Sequence, residues 1–259
     1  MSVAIITGAS GGIGGEFARQ MRADFTDIDK FWFVARNRGR MERLAEELGC
    51  DAKIIVSDLS ESSGCDALRR ALESEKPEVS YLINCAGFGR FGAFDELDEK
   101  SAVDMIEVNV KALVRITYMT IPYMKRGSRI VQLGSGSCFT PLPYFNVYSS
   151  SKVFVLHFTK SLNYELKKYG IRATCFCPGW VETEFLDSAG MSNTVTHPKK
   201  IAPLLKKEKV VKKCLKAMRR GRAMCVTGKY TKFQHVLFKT LPDSILTRVW
   251  LGMQKFPEN

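Results

Sequence analysis

The sequence predicts an α/β protein with a doubly wound parallel sheet of about seven strands and helices on both faces. Three observations lead to this fold class. Short apolar runs alternate with helical patterns along most of the chain. These runs lack the strict polar/apolar alternation of half-exposed strands, as is typical of strands covered on both faces. The 259 residues contain no Pro/Gly/Ser-rich linker, repeat or low-complexity stretch, which favours a single domain with a substantial core.

The predicted elements follow one another as strand and helix. The run Val-Ala-Ile-Ile at 3–6 predicts the first strand, and a periodic segment near 13–24 predicts the first helix. Apolar runs at 31–35, 53–57 and 79–84 predict further strands, separated by helices near 40–49 and 61–75. Periodic segments near 99–125 and 147–169 flank a strand at 129–133. The last predicted elements are strands at 173–176 and 224–226, with a helix near 206–220 between them.

Basic residues are concentrated at one end of the chain, which has a net charge of +12. Residues 199–259 contain 16 Lys and Arg against three acids, a local charge of +13. The other 198 residues carry 23 bases and 24 acids, a charge of −1. We therefore expect residues 1–228 to form the catalytic domain and residues 229–259 to be a basic amphipathic extension packed on it.

The cysteines and the apolar segments predict a cytoplasmic protein. The eight cysteines are scattered, without a CxxC pair or histidines at metal-ligand spacing, so we expect reduced thiols and no metal site. The first residues enter a strand pattern directly, without the basic and apolar segments of a signal peptide. No apolar run approaches the ~18 residues needed to span a bilayer.

A glycine-rich run joins the first predicted strand to the first predicted helix: Thr7-Gly8-Ala9-Ser10-Gly11-Gly12-Ile13-Gly14. Glycines at such a turn let the backbone approach a pyrophosphate closely, and the helix N-terminus offers oriented N–H groups to the anion. A Walker-type phosphate loop is excluded because no Gly-Lys-Ser/Thr follows. The run alone is only a weak indication of dinucleotide binding.

Tyr148 and Lys152 are four residues apart, so a helix places them on one face. An unperturbed phenol, with a pKa of ~10, is a poor base at neutral pH, and a nearby ammonium group lowers that pKa. Such a tyrosine can donate a proton to a nascent alkoxide or accept one from an alcohol. Alone, the pair is typical of an ordinary helix surface; with the glycine-rich run, it indicates an oxidoreductase.

These motifs together resemble the short-chain dehydrogenase/reductase family, whose members have a Rossmann-type fold. The resemblance rests on Thr-Gly-x-x-x-Gly-x-Gly and Tyr-x-x-x-Lys, and it covers about residues 3–183. Further family marks follow in order: Asp58, Asn84-Cys85-Ala86-Gly87, Asn109, Ser135 and Pro178-Gly179. The resemblance implies an enzyme that interconverts an alcohol and a ketone with a nicotinamide cofactor.

The resemblance implies that the end of the second strand selects the cofactor. A carboxylate at that point binds the ribose 2′-OH and repels a 2′-phosphate. This chain has no acid there, and Arg36, assisted by Arg38, can bind a phosphate. We therefore expect NADP(H); the alternative is a solvated arginine in a loop. The other expected cofactor contacts are Gly8, Ser10, Gly11, Gly12, Ile13, Gly14, Asp58, Leu59, Asn84, Ala86, Gly87, Tyr148, Lys152, Pro178, Gly179, Val181 and Thr183.

Some of these expected contacts have alternative interpretations. Asp58 resembles the acid that binds the adenine amino group, but it could equally cap a helix beginning near Ser60. Asn84 is expected to hold the central strands together, and Cys85 replaces the family's usual second asparagine. The turn Pro178-Gly179 with Thr183 resembles the segment that contacts the nicotinamide carboxamide in the family.

The resemblance assigns catalytic roles to Asn109, Ser135, Tyr148 and Lys152. Ser135 would orient the carbonyl group and stabilise its developing negative charge. Ser137 is the alternative, because the family more often has two adjacent serines. Lys152 would also bind the nicotinamide ribose. Asn109 would position a water molecule that links Lys152 to solvent, or else it is a polar residue that bends its helix.

The residues expected near the substrate are mostly apolar: Phe88, Phe91, Phe94, Phe139, Pro141, Leu142, Pro143, Tyr144, Phe145, Trp180, Phe185 and Leu186. This composition favours a small-molecule substrate that is a bulky apolar ketone or alcohol, rather than a sugar phosphate. Residues 144–155 resemble hydroxysteroid dehydrogenases of the family, which indicates a hydroxysteroid. Long-chain ketones and 3-oxoacyl groups are alternatives. An NADPH-binding regulatory protein, or a membrane-surface interaction protein, without turnover is the alternative of another class.

The basic extension mixes Lys and Arg with apolar residues. We expect it to cover the substrate pocket or to contact another subunit of a homodimer or homotetramer. Peripheral contact with an anionic membrane is the second hypothesis. Nucleic-acid binding is not expected, because no recognised binding motif accompanies the charge.

Overall fold

Seven parallel strands form one sheet in the computed structural model, which describes residues 1–185, 202–238 and 240–254. The strands are β1 (Ser2–Thr7), β2 (Lys30–Ala35), β3 (Ala52–Val56), β4 (Glu78–Asn84), β5 (Met124–Leu133), β6 (Arg172–Pro178) and β7 (Met224–Thr227). Their order is β3-β2-β1-β4-β5-β6-β7, and all neighbours pair in parallel. The predicted fold class is confirmed.

Helices separate the strands along the chain and cover both faces of the sheet. The described helices are α1 (Gly12–Asp24), α2 (Arg38–Leu48), α3 (Asp66–Glu75), α4 (Glu99–Ile106), α5 (Leu113–Thr120), α6 (Asn146–Glu165), α7 (Lys207–Arg219), α8 (Lys229–Leu237) and α9 (Asp243–Gln254). A π-helical turn, Glu107–Ala112, joins α4 to α5. Among the described residues, no helix combines the length and the apolar character that crossing a bilayer requires.

The side chains of β1 show how the two faces are filled. Ala4 and Ile6 point to one side of the sheet, where they join a core formed with α1, α2 and α7. Val3 and Ile5 point to the other side and pack with residues of α3, α5 and α6. Since both faces are buried, the four inner positions of the strand, 3–6, are all apolar, which explains the continuous run in the sequence.

The strand order also determines where a ligand can bind. From β1 the chain proceeds to β2 and β3 on one side, and it then returns to β4 on the other side of β1. Helices that leave β1 and β4 therefore run on opposite faces, and a crevice opens between them at the carboxyl ends of the strands. The glycine-rich run and the Asn84–Gly87 segment follow these two strands.

Two predicted helices differ from the structure. The helix expected from 61 begins only at Asp66, because residues 59–65 form turns. The helix expected over 99–125 is interrupted by the π-helical turn and ends with a short 3₁₀ turn at Ile121–Tyr123. Pro122 lies in that turn and lacks the N–H group that a continuing helix would need. Strand β5 accordingly begins at Met124.

Candidate active site

A cavity of about 600 Å³ lies at the carboxyl ends of the strands. It brings together most of the residues expected from the sequence. These are Gly8, Ser10, Gly11, Gly12, Ile13, Gly14, Arg36, Asp58, Leu59, Ala86, Gly87, Ser135, Tyr148, Lys152, Pro178, Gly179, Val181 and Thr183. Arg38, Asn84 and Asn109 do not line it. Within the described part of the chain, no cluster of His, Cys, Asp and Glu could hold a metal ion.

The glycine-rich run forms the floor of one end of this cavity. Gly8 has a φ of +68°, and a Cβ there would lie 2.9 Å from the Ala86 amide nitrogen. A Cβ on Gly14 would overlap the Gly8 carbonyl oxygen. The hydroxyl of Thr7 accepts hydrogen bonds from the Cys85 and Ala86 N–H groups, both at 3.1 Å, and so ties this turn to the end of β4.

The first turn of α1 faces the same space. Its N-terminus receives no hydrogen bond from a capping side chain, and Gly12 and Ile13 line the cavity. The first N–H groups of a helix have no partner within the helix, and they carry its partial positive charge. This end of the cavity therefore suits an anion such as a pyrophosphate.

Three arginines follow β2, and two of them line the cavity. Arg36 is exposed and lines the wall. The Arg38 guanidinium instead pairs with Glu42 along α2 at 3.2 Å, so the sequence expectation that it assists Arg36 is not matched by its position. Arg40 lines the cavity and pairs with Glu184 at 2.6 Å. The Asn37 side chain accepts a hydrogen bond from the Arg40 N–H group and begins α2. This capping asparagine was the overlooked signal that Arg40 lies in the first helical turn.

The position of Asp58 agrees in part with both of its predicted roles, adenine binding and capping. It lines the cavity, and its carboxylate accepts hydrogen bonds from the Ser60 N–H at 3.0 Å and the Ser60 hydroxyl at 2.7 Å. Burial works to raise the pKa of this carboxyl, but the bonds from Ser60 and the charge of Arg36 outweigh it and lower the pKa. Because α3 begins at Asp66, Asp58 caps a turn and not the helix.

Asn84 lies below the cavity, in the middle of the sheet. Its amide nitrogen donates to the Gln132 side chain on β5 at 3.0 Å and to the Thr117 hydroxyl on α5 at 3.2 Å. Gln132 also donates to Thr117, at 2.8 Å, which closes a buried triangle of polar groups. Asn84 therefore joins β4 to β5. The neighbouring Cys85 is buried, which raises the pKa of its thiol to about 12.

Tyr148 lies in the first turn of α6 and is only 7% exposed. Its ring stacks on Phe145 at 4.4 Å between centroids, and Phe145 stacks in turn on Phe91 at 3.7 Å. Burial among these rings raises the pKa of the phenol well above its usual value, while a hydrogen bond with Ser135 acts in the opposite direction. A phenol in this environment holds its proton at neutral pH.

Lys152 is one helical turn further along α6. Its ammonium group donates to the Leu133 carbonyl at 2.8 Å and lies 5.4 Å from the centre of the Tyr148 ring. Burial lowers the pKa of Lys152 to about 8, so the group is mostly charged at pH 7. From the sequence, we expected this charge to lower the pKa of Tyr148. In the structure, the burial of Tyr148 raises that pKa instead.

Asn109 is buried in the π-helical turn, behind the cavity wall. Its amide nitrogen donates to the Phe88 carbonyl at 2.9 Å and to the Ser151 hydroxyl at 3.1 Å, and its oxygen accepts from the Phe88 N–H at 3.1 Å. A Cβ on Gly87 would lie 2.8 Å from the Asn109 oxygen and 3.4 Å from the Lys152 nitrogen. Asn109 and Lys152 thus approach the same glycine from two elements.

Both serines after β5 line the cavity, but their contacts differ. The Ser135 side chain acts to lower the pKa of Tyr148, and it accepts a hydrogen bond from the Ser137 N–H at 3.2 Å. The Ser137 hydroxyl is buried and has no hydrogen-bond partner among the described residues. This geometry supports Ser135, the residue at the expected position, as the one that acts beside Tyr148.

The opposite end of the cavity is apolar. Six expected residues line it: Phe88, Phe91, Leu142, Phe145, Trp180 and Phe185. Pro141, Pro143 and Tyr144 do not; Phe94 is 65% exposed, and Phe139 stacks on His235 at 4.4 Å. Leu186 lies outside the described residues.

The C-terminal helices contribute lining residues that the motifs did not indicate. Thr231 and Gln234 of α8, Phe238 directly after it, and Trp250 of α9 line the cavity. The Trp250 indole donates to the Pro143 carbonyl at 3.0 Å, which fixes the ring against the loop before α6. The mixture of basic and apolar residues in the tail was visible in the sequence, but the surface against which the tail packs was not.

The fold and the site define a class: a dinucleotide-binding α/β protein with a buried tyrosine beside a lysine. Residues 2–193 match the short chain dehydrogenase family, and the chain belongs to it. It is accordingly an oxidoreductase of the kind that interconverts alcohols and ketones with a nicotinamide cofactor. The wider family resemblance found in the sequence is confirmed.

Known relatives and structures agree with this membership. An uncharacterized oxidoreductase of Staphylococcus epidermidis is 30% identical over 183 residues, which span 70% of this chain and 78% of that protein. A short-chain dehydrogenase from Sphingobium yanoikuyae, solved in complex with NADPH, has a TM-score of 0.76 at 24% identity and covers 94% of this chain and 98% of that one. A 7β-hydroxysteroid dehydrogenase has a TM-score of 0.78 at 16% identity, covering 96% of each chain. Both structures support the fold.

Proposed function

We propose that the protein is an NADP(H)-dependent oxidoreductase that interconverts a ketone and a secondary alcohol on a bulky apolar substrate. The observation that carries the proposal is the position of Tyr148. It is buried, the adjacent Ser135 acts to lower its pKa, and it shares one cavity with the glycine-rich run and an apolar wall.

The residues present fit a dinucleotide. A side chain at Gly8 or Gly14 would clash with neighbouring backbone, Gly11 and Gly12 line the cavity without side chains, and the uncapped N-terminus of α1 suits the charge of a pyrophosphate. The Arg36 side chain lines the cavity where a carboxylate would select NAD(H), and Arg40 adds a second cation. When bound, the cofactor supplies or accepts the hydride. The NADPH complex of the Sphingobium relative supports this choice.

The chain's own groups handle the proton. In reduction, the Ser135 hydroxyl is placed to bind the substrate oxygen and to stabilise its developing negative charge. A neutral Tyr148 is then a suitable acid, because an alkoxide is a far stronger base than a phenolate. The charge of Lys152, 5.4 Å from the ring, stabilises the resulting phenolate by about 3 kcal/mol at an effective dielectric constant of ~20.

Asn109 acts as a positioning residue in this proposal. It holds the Phe88 backbone, and with Lys152 it encloses Gly87. This arrangement supports the expected route by which Lys152 and Tyr148 regain a proton from solvent. Since Asn109 does not line the cavity, it contacts neither reactant directly.

We propose a hydroxysteroid as the substrate class. The wall formed by Phe91, Phe145, Trp180 and Trp250 is wide and apolar and fits a fused-ring ketone. The similarity to a 7β-hydroxysteroid dehydrogenase supports the same choice. A 3-oxoacyl thioester or long-chain ketone is the alternative. Regulation without turnover is less well supported, because Ser135, Tyr148 and Lys152 are all present and adjoin one cavity.

We also propose a cytoplasmic location. All eight cysteines are free, which suits a reducing compartment. Assembly into a homodimer or homotetramer stays a prediction.

The test is oxidation of NADPH and NADH by the purified protein with a panel of ketones. The panel contains a 3-oxoacyl thioester, a small diketone and steroids whose ketone is at about five common carbon positions, namely 3, 7, 12, 17 and 20. Stereoselective turnover of one steroid with NADPH is expected. Turnover of the thioester or diketone alone would overturn the steroid assignment and keep the enzyme class.

The matching variant is Tyr148→Phe, which keeps the ring and removes the acid. It should lower kcat by about a thousandfold and leave the Kd for NADPH within about twofold. Tyr164→Phe, on the exposed part of the same helix, is the control and should behave as the wild type. Near-normal turnover by Tyr148→Phe would refute the mechanism.

A further inference from the structure

Helices α8 and α9 each have an inner face against the cavity. Thr231 and Gln234 of α8 line the cavity, as do Phe238, directly after α8, and Trp250 of α9. The Tyr230 hydroxyl contacts the Met253 sulfur at 3.9 Å and so holds the start of α8 beside the end of α9. The two helices therefore form one layer over the substrate end of the site.

The other side of this layer exposes apolar side chains at helical spacing. On α8, Phe233 is 61% exposed and Val236 is 67% exposed. On α9, Ile245, Val249 and Met253 follow one another at intervals of four residues and are all exposed. We name these five residues the outer face. Exposed stripes of this kind mark a surface that binds something apolar.

Cations accompany the outer face. Lys229 and Lys232 on α8 and Arg248 on α9 are exposed, against one acid, Asp243, at the start of α9. None of these three cations forms an ion pair with an acid in the parts of the chain that the structure describes. The surface is therefore both apolar and positively charged.

We propose that the outer face docks on an anionic lipid bilayer. Apolar side chains enter the boundary between headgroups and acyl chains, and the adjacent cations bind the anionic headgroups. A second copy of this chain fits less well. In a twofold contact the same patch meets itself, so Lys229, Lys232 and Arg248 would face like charges.

If the proposed function holds, docking of the outer face also affects how the substrate reaches the cavity. Substrates that are bulky and apolar partition into bilayers. The helices that carry the outer face also line the cavity, through Gln234 of α8 and Trp250 of α9. Docking would bring the cavity next to the phase in which such a substrate dissolves, whereas docking itself requires no turnover.

Vesicle flotation tests the proposal with the full chain, without cofactor or substrate. The wild type should float with vesicles of phosphatidylglycerol and phosphatidylcholine in equal parts, and much less with phosphatidylcholine alone. The double variant Phe233→Glu/Val249→Glu should lose flotation. Its matched control, Tyr118→Glu/Tyr164→Glu, changes two exposed aromatic residues of α5 and α6 and should float as the wild type does.

A second pair of variants tests the charges without altering apolar residues. Lys229→Gln/Lys232→Gln should weaken binding by about thirtyfold, since each cation near an anionic surface contributes about fivefold. Lys212→Gln/Lys213→Gln, exposed on α7, is the control and should weaken it by less than about threefold. Thermal melting and ketone turnover in solution establish that each variant is folded.

Three results would overturn the proposal. The wild type could fail to float with anionic vesicles. The outer-face variants and their controls could lose flotation equally, which would assign binding to net charge alone. The outer-face variants could instead reduce the sedimentation mass, which would make this face a contact between copies. Absence of turnover on every ketone would reject the proposed function and leave the flotation result unaffected.

Discussion

Replacing Lys152 by methionine should stabilise the fold while it impairs catalysis. The Lys152 side chain is 2% exposed, and burial lowers the pKa of its ammonium group from 10.5 to about 8. The difference between these pKa values corresponds to about 3 kcal/mol of free energy of unfolding at pH 7, which the buried charge costs. Methionine removes this charge. It also leaves the Leu133 carbonyl without its hydrogen-bond donor, and this loss cancels about 1 kcal/mol of the gain. The net gain is about 2 kcal/mol, or a rise in Tm of about 4–8 °C.

The stability difference between the wild type and Lys152→Met should depend on pH. Between about pH 8 and pH 10.5 the unfolded chain holds the Lys152 proton and the folded chain does not. The wild type therefore gains stability as the pH rises through this window, and the variant does not. The advantage of Lys152→Met should be largest at and below pH 7 and should shrink toward pH 10.5.

Urea unfolding across this pH range measures the free energies, and ketone turnover measures catalysis. Losing about 3 kcal/mol of phenolate stabilisation lowers kcat by about a hundredfold. Lys160→Met, exposed on the same helix, is the control and should change neither quantity appreciably. A variant less stable than the wild type at pH 7, or an advantage that grows with pH, would refute the reasoning.

Three further predictions concern the cofactor and the fold. Arg36→Asp should raise the Kd for NADPH about a hundredfold more than the Kd for NADH. The control Arg38→Asp, outside the cavity wall, should change the ratio of the two Kd values by less than about threefold. Titration of cofactor fluorescence measures both Kd values, and an equal loss of affinity for the two cofactors would exclude Arg36 as the phosphate ligand. Gly14→Ala should lower the free energy of unfolding by about 3 kcal/mol, because the new Cβ would overlap a backbone oxygen. The control Gly252→Ala, which has open space around it, should be neutral or slightly stabilising. Thermal melts compare the two variants. Asn109→Ala should cost about 2–3 kcal/mol by leaving the N–H and C=O of Phe88 unpaired, and an unchanged urea midpoint would contradict it.

The sequence predicted the sheet and most of the cavity because both depend on local patterns. Strands buried on both faces are apolar at every position, as Val3–Ile6 are, and a glycine-rich turn is visible without knowledge of its surroundings. The residues at the ends of β1, β4 and β5 meet because parallel strands align their carboxyl ends.

The remaining features depend on contacts between distant segments. Arg38 and Arg40 differ little in sequence context, yet Arg38 pairs with Glu42 on its own helix, whereas Arg40 pairs with the distant Glu184 and lies near Gly11. Trp250 reaches the cavity through a bond to Pro143, more than a hundred residues away. The raised pKa of Tyr148 likewise follows from packing against aromatic rings, which the Tyr-x-x-x-Lys spacing does not contain.

The π-helical turn at Glu107–Ala112 sets the rotational phase between α4 and α5. Each residue of an α-helix advances the direction of its side chains by about 100°, and a π turn accommodates one residue more than an α turn does. That additional residue lets Met105 of α4 pack beside Tyr148 while Ile116 and Met119 of α5 pack on the sheet. Shortening this turn by one residue would make the helix regular. It would also rotate α4, and with it Met105, relative to α5 and the sheet. A gain in local regularity at this point would therefore come at the expense of the site.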